Sequence, residues 1–130
     1  MNTSRHERGC IMIVDNERDI LLVLERFLSR EGYKVLLADS GEKALQYIQA
    51  QRVDLVLLDM AMPKLNGVET LRKIRILKPD LRTMIITACP YNEKVAEAFR
   101  LGACECIYKP FNLNYLHEMI MTKISECPSS

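Results

Sequence analysis

VDLVLLDMAMPKLNG, residues 53–67, opens on an apolar run, ends that run on an acid, and then breaks at a proline and a glycine. Asp59 follows four apolar residues, Leu55–Leu58, and is itself followed by Met60-Ala61-Met62-Pro63. Four aliphatic side chains in succession leave no polar face, which is the pattern of a strand covered on both sides. A carboxylate at the exit of such a strand is either a turn residue leading into a helix or the head of a site. The rest of the chain decides between the two.

Working outward, the strand predicted over Asp54–Leu58 is one of five short apolar runs, the others being Cys10–Val14, Lys34–Ala38, Arg82–Thr87 and Glu105–Tyr108. Amphipathic stretches alternate with them. The first places Ile20, Val23, Leu24, Phe27 and Leu28 at i, i+3, i+4, i+7 and i+8, a helical stripe, with Gly32 as its stop. A second helix follows Ser40 and turns Ala44, Leu45 and Ile48 inward; Asp39 with Glu42 reads as a capping arrangement. The third contains Val68, Leu71 and Ile74 and ends before Pro79, with Gly67 ahead of it as a turn residue. A fourth spans about Asn92–Leu101 and stops at Gly102; the fifth starts at Asn112 as N-cap and lines up Leu116, Ile120 and Ile124. Five β-α units in strict alternation predict an α/β fold, a doubly wound parallel sheet in a three-layer sandwich with helices on both faces. In such folds the ligand site lies at the carboxyl ends of the strands.

The chain has 130 residues, 48% of them apolar and 27% charged, enough for one core without disulfide or metal staples. Residues 10–125 are predicted to form that single domain, with residues 1–9 and 126–130 as tails. Eighteen Lys plus Arg against seventeen Asp plus Glu, a net charge of +1, argue against a direct nucleic-acid binder. No long apolar stretch offers a membrane span, and MNTSRHERGC lacks the apolar core of a secretory signal, so the expected location is cytoplasmic. Five cysteines, at 10, 89, 104, 106 and 127, read as free thiols. Cys104 and Cys106 form a C-x-C pair, but no second pair or nearby His completes a metal site.

The strand exits carry Asp15-Asn16-Glu17, Asp39, Asp59, Thr87 and Lys109. Two acids at neighbouring strand tips repel by about 4 kcal/mol at 4 Å in an effective dielectric of 20. Such crowding calls for a cation between them, either Mg²⁺ or an ammonium such as that of Lys109. A pocket with these parts can support phosphoryl transfer, in which a carboxylate serves as nucleophile.

Four segments, IMIVDNE (11–17), VDLVLLDMAMPKLNG (53–67), MIITA (84–88) and YKPF (108–111), resemble the signatures of the CheY-like receiver domains of two-component response regulators. Each is weak alone, but together they stand in register over about residues 10 to 125. The resemblance implies a flavodoxin-like sheet of strand order 2-1-3-4-5. It also implies that Asp59 is the phosphoacceptor, taking its phosphoryl group from a sensor histidine kinase or a histidine phosphotransfer protein. Mg²⁺ would be held by Asp15, Asn16, Asp59 and the backbone carbonyl of Ala61. Lys109 would pair with the acids and then with the phosphoryl oxygens, and Thr87 would reorient to bond one of them, with Ala88 leaving room. Lys109-Pro110 would be a cis peptide bond. Output would pass through the face of the fourth helix, fifth strand and fifth helix, to an output protein or a second copy, with Tyr115, Met119 and Met121 available there.

Two positions depart from the pattern. The family usually has two acids after the first strand, whereas Asp15 is followed here by Asn16, so weaker metal binding is expected. Glu17 is the acid that could compensate, although in such folds that position more often begins the helix. An aromatic residue often stands three places before the lysine; here that place holds Cys106, and Tyr108 on the same strand face is the candidate substitute. Ala61 and Cys89 occupy the places that tune dephosphorylation, both small and uncharged. Three functions compete: a phosphorylation switch, a degenerate receiver acting as a phosphorylation-independent interaction module, and an aspartate-nucleophile phosphatase. The last needs a second acid two residues after the nucleophile, where Ala61 stands.

Overall fold

In the computed structural model, residues 8–60, 66–88 and 93–125 are described. Ten elements alternate along them: β1 (Cys10–Val14), α1 (Arg18–Arg30), β2 (Lys34–Ala38), α2 (Gly41–Ala50), β3 (Leu55–Asp59), α3 (Gly67–Leu77), β4 (Arg82–Thr87), α4 (Glu93–Arg100), β5 (Glu105–Tyr108) and α5 (Leu113–Ser125). The five strands form one parallel sheet in the order β2-β1-β3-β4-β5.

Alternation along the strands sorts the core into two layers. Met12, Val14, Val56, Leu58, Ile85 and Cys106 face α2, α3 and α4, where Ala44, Ile48, Leu71, Ile74, Val95 and Ala98 meet them. Their neighbours Ile11, Ile13, Leu55, Leu57, Met84, Ile86 and Ile107 face Leu21, Leu24 and Leu28 of α1 and Leu116 and Ile120 of α5. Each fully buried aliphatic side chain is worth roughly 1.5–3 kcal/mol against exposure, so the two layers together dominate the stability.

Several local expectations shift. β3 runs one residue later than the apolar run alone suggested, so that Asp59 is its last residue. On α1 the buried stripe is Leu21, Leu24 and Leu28, and Val23 points to solvent. α2 is capped by Ser40, whose side chain accepts from the Lys43 amide; exposed Asp39 is not the cap. Gly67 is the buried first residue of α3, behind the Asn66 cap, rather than a turn. Arg8 and Gly9, grouped by sequence with the leading tail, are tied to the domain. The Arg8 amide donates to the Gly32 carbonyl, and the Gly9 carbonyl accepts from the Lys34 amide. Gly32 and Gly102 close α1 and α4 with φ of 104° and 93°, a region in which a Cβ is strained. Cys104 packs with the α1–α5 layer and Cys106 with the opposite one, so the two thiols do not form a chelate on one face.

Candidate functional site

All strands being parallel, their carboxyl ends lie on one edge, and the winding reverses between β1 and β3. Asp15 follows β1 directly and Asp59 ends β3; each is only 2% exposed. The Met60 amide donates to the Ile86 carbonyl, which fixes the chain just beyond Asp59 against β4. Gly67 lets α3 begin close above this point. A Cβ there would lie 2.6 Å from the Met60 sulfur and 3.2 Å from the Asp59 carbonyl oxygen.

Lys109 reaches in from the end of β5. Its amide donates to the Thr87 carbonyl, and its Nζ stands 2.6 Å from Asp59 Oδ2, 3.5 Å from Asp15 Oδ2 and 3.4 Å from Glu17 Oε1. The Glu17 amide donates in turn to Asp15 Oδ1 at 2.8 Å. One oxygen from each of Asp15, Glu17 and Asp59 lies within 4.8 Å of the others.

Three carboxylates around one ammonium leave an excess of negative charge. Burial pushes the Asp15 carboxyl up to about 6, and the neighbouring Asp59 adds to the rise, while the Glu17 amide and Lys109 act against it. Burial also works against the Lys109 ammonium, but the hydrogen bond and charge of Asp59, followed by the charge of Asp15, outweigh it, and the lysine pKa is raised. The donor set is hard oxygen, all carboxylate, open to solvent through the 60%-exposed Glu17 side chain. That chemistry fits a divalent ion such as Mg²⁺, which favours a few carboxylates and retains waters.

Thr87 is the buried last residue of β4, in register with Tyr108, and Ala88 follows it as an exposed bend. Cys106 is buried, and Tyr108, 44% exposed, lies close enough to it to share a hydrogen bond. The Lys109–Pro110 peptide bond is cis. Asn16 is exposed at the bend between Asp15 and Glu17. Ala61 and Cys89 lie outside the described residues. The structure thus brings together Asp15, Asp59 and Lys109, and adds Glu17, which the sequence offered as a compensating acid while favouring its reading as the start of the helix. Its spacing of two from Asp15 was the available signal.

The comparisons agree with this geometry. The response regulator receiver domain profile matches residues 11–121. Sporulation initiation phosphotransferase F of Bacillus subtilis is 33% identical over 110 residues, covering 85% of this chain and 89% of that protein. Transcriptional regulatory protein ZraR of Escherichia coli K12 is 35% identical over 111 residues, but there the chain spans only 25% of the longer protein. Among solved structures, the response regulator TrrA of Thermotoga maritima, in complex with Mg²⁺ and BeF, superposes with a TM-score of 0.78 at 33% identity, covering 89% of this chain and 98% of that one. A doubly wound sheet of order 2-1-3-4-5, an acidic pocket at its carboxyl edge and a profile match over most of the length lead to one assignment: the chain belongs to the response regulator receiver domain family.

Proposed function

We propose that residues 10–125 act as a phosphoacceptor switch with Asp59 as the nucleophile. A carboxylate oxygen of Asp59 bonds to the phosphorus of a phosphohistidine on a sensor histidine kinase or histidine phosphotransfer protein. The phosphorus–nitrogen bond breaks, and the histidine leaves. The observation that carries this reading is the 2.6 Å contact of Lys109 with a buried Asp59 that has a second buried acid, Asp15, beside it.

Each neighbour has a task in this reading. Lys109 neutralises the incoming phosphoryl oxygens, as positively charged clamps do in phosphoryl transfer. Asp15, Asn16, Asp59 and the Ala61 carbonyl would hold Mg²⁺, which supplies charge neutralisation when bound. Thr87 donates its hydroxyl to a phosphoryl oxygen, and Ala88 leaves space for the group. The movement of Thr87 passes to the Cys106–Tyr108 pair on β5, where a small buried thiol replaces an aromatic ring and the exposed Tyr108 carries the change outward. The output surface is then α4-β5-α5, where Phe99, Tyr108 and Tyr115 present side chains to solvent, for an output protein or a second copy; exposed Met121 lies instead beside Arg8, its sulfur 3.6 Å from the Arg8 Nη1. Met119 on α5 is partly buried, packed against the α1–α5 core layer.

Intact mass spectrometry after treatment with acetyl phosphate and Mg²⁺ tests the proposal. Wild type gains the mass of one phosphoryl group, and Asp59→Ala gains none. No gain in wild type would support instead a phosphorylation-independent interaction module, in which Asn16 has cost the site its metal.

A further inference from the structure

We infer that Glu17 is the third carboxylate of the cation pocket and supplies the charge that its neighbour Asn16 lacks. The inference rests on the receiver reading above and asks how this chain's own residues make the pocket attractive to a divalent ion.

Glu17 occupies the N-cap position of α1 with extended backbone, φ −93° and ψ 111°. A short side chain at that position, Ser, Thr, Asn or Asp, accepts a hydrogen bond from the exposed amides of the first turn, whereas the longer Glu is free to reach elsewhere. Glu17 makes no such bond. Its side chain instead crosses to Lys109 Nζ, 92 residues away in sequence, and places an oxygen within 4.8 Å of oxygens of Asp15 and Asp59. The backbone of the same residue positions Asp15 through the 2.8 Å bond from the Glu17 amide. One residue therefore serves the pocket twice, orienting a buried acid with its amide and adding an exposed charge with its side chain.

The charges explain why this matters. Asn16 contributes only a neutral amide between two acids. Without Glu17, Asp15 and Asp59 would share Lys109 with a single net negative charge left over for an incoming cation. With Glu17 the excess doubles. Because Glu17 is the solvent-exposed member of the set, its charge is the one that an arriving ion meets first. A unit charge about 5 Å from a divalent ion, even in water and partly screened by salt, corresponds to an affinity change of about tenfold.

The competing account is that Glu17 merely favours the positive end of the α1 helix dipole. Isothermal titration of Mg²⁺ into metal-free wild type, Glu17→Gln, Asn16→Asp and the double variant Asn16→Asp/Glu17→Gln separates the two. Thermal melts in EDTA accompany each titration. Glu17→Gln is expected to bind Mg²⁺ about tenfold more weakly. The double variant, with the charge moved one residue, should return to within about threefold of wild type. An affinity for Glu17→Gln within about twofold of wild type, with a lowered melting temperature in EDTA, would overturn the inference in favour of the helix dipole. A loss that Asn16→Asp does not recover would also overturn it. Wild type that takes up neither Mg²⁺ nor phosphoryl would sink the receiver reading itself. An unchanged Glu17→Gln in a protein that takes up both would sink the Glu17 role alone.

Discussion

Two partly buried cations, one at each end of the sheet, are held in opposite ways. At the carboxyl end, Lys109 is surrounded by the carboxylates of Asp15, Glu17 and Asp59, at 3.5, 3.4 and 2.6 Å. At the amino end, Arg75 of α3 is surrounded by neutral acceptors. Its guanidinium donates to the carbonyls of Leu101, Lys78, Pro79 and Leu81 and to the Thr83 hydroxyl, at 2.7–3.3 Å. Burial lowers its pKa, and the charges of Cys104 and Asp80 oppose that shift without cancelling it. The Arg75 cluster is finished, because each acceptor is a fixed dipole matched to a fixed donor. The Lys109 cluster is overcharged, and anything that brings positive charge or redistributes negative charge will rearrange it. Stability is invested at one end of the sheet, and responsiveness at the other.

That contrast can be broken most strongly at Arg75. Arg75→Met leaves the α3–β4 loop, the end of α4 and the Thr83 hydroxyl without their common donor. A loss of about 3 kcal/mol in urea unfolding is expected, while phosphoryl uptake by the folded protein stays intact. Loss of uptake with unchanged stability would reverse the roles given to the two ends.

His117 sharpens the comparison with a smaller effect, as a third basic side chain that is buried neutral. Arg8 Nη1, which can only donate, lies 2.9 Å from His117 Nε2, and the Tyr33 hydroxyl lies 3.1 Å from the same nitrogen. Nε2 is therefore the acceptor, and the proton is on Nδ1, which faces Glu31 at 3.7 Å. The rings of Phe27 and Tyr33 meet the imidazole edge-on. Burial lowers the His117 pKa below its usual 6.5, Arg8 acts in the same direction, and Glu31 opposes. The unfolded chain thus takes up the proton first. The His117 contribution to stability is present above pH 6.5 and is lost as pH falls through that value toward the lower folded pKa. Urea unfolding of wild type and His117→Phe at a series of pH values checks this. The difference between the two proteins should change with pH only below about 6.5; a difference independent of pH would contradict it.

The fold was legible because short two-sided apolar runs and helical stripes each leave a periodic trace. The acids and the lysine were legible because strand exits are predictable positions in a doubly wound sheet. What could not be read depends on contacts distant in sequence or on side-chain direction. Arg75 looks like an ordinary helix-surface arginine until α4 brings the Leu101 carbonyl, 26 residues on, to its Nε. His117 looks like one more polar residue of α5 until Tyr33, 84 residues earlier, is found against it. Val23 matched the helical period but lies at the margin of the stripe, where a small rotation of α1 decides exposure. Glu17 has the spacing of a helix-capping acid, and only the direction of its side chain assigns it to the pocket.

The central claim is that charge at the carboxyl edge is held out of balance, ready for an incoming cation and phosphoryl group. The most direct measurement is the unfolding free energy of Asp15→Asn against wild type at neutral pH, in EDTA and in saturating Mg²⁺. The folded Asp15 pKa of about 6 means that ionising this buried acid costs stability when no divalent ion is present. The account predicts that Asp15→Asn is more stable than wild type in EDTA, by about 1 kcal/mol, and gains much less from Mg²⁺. A variant less stable than wild type in EDTA, or stabilised equally by Mg²⁺, would contradict it.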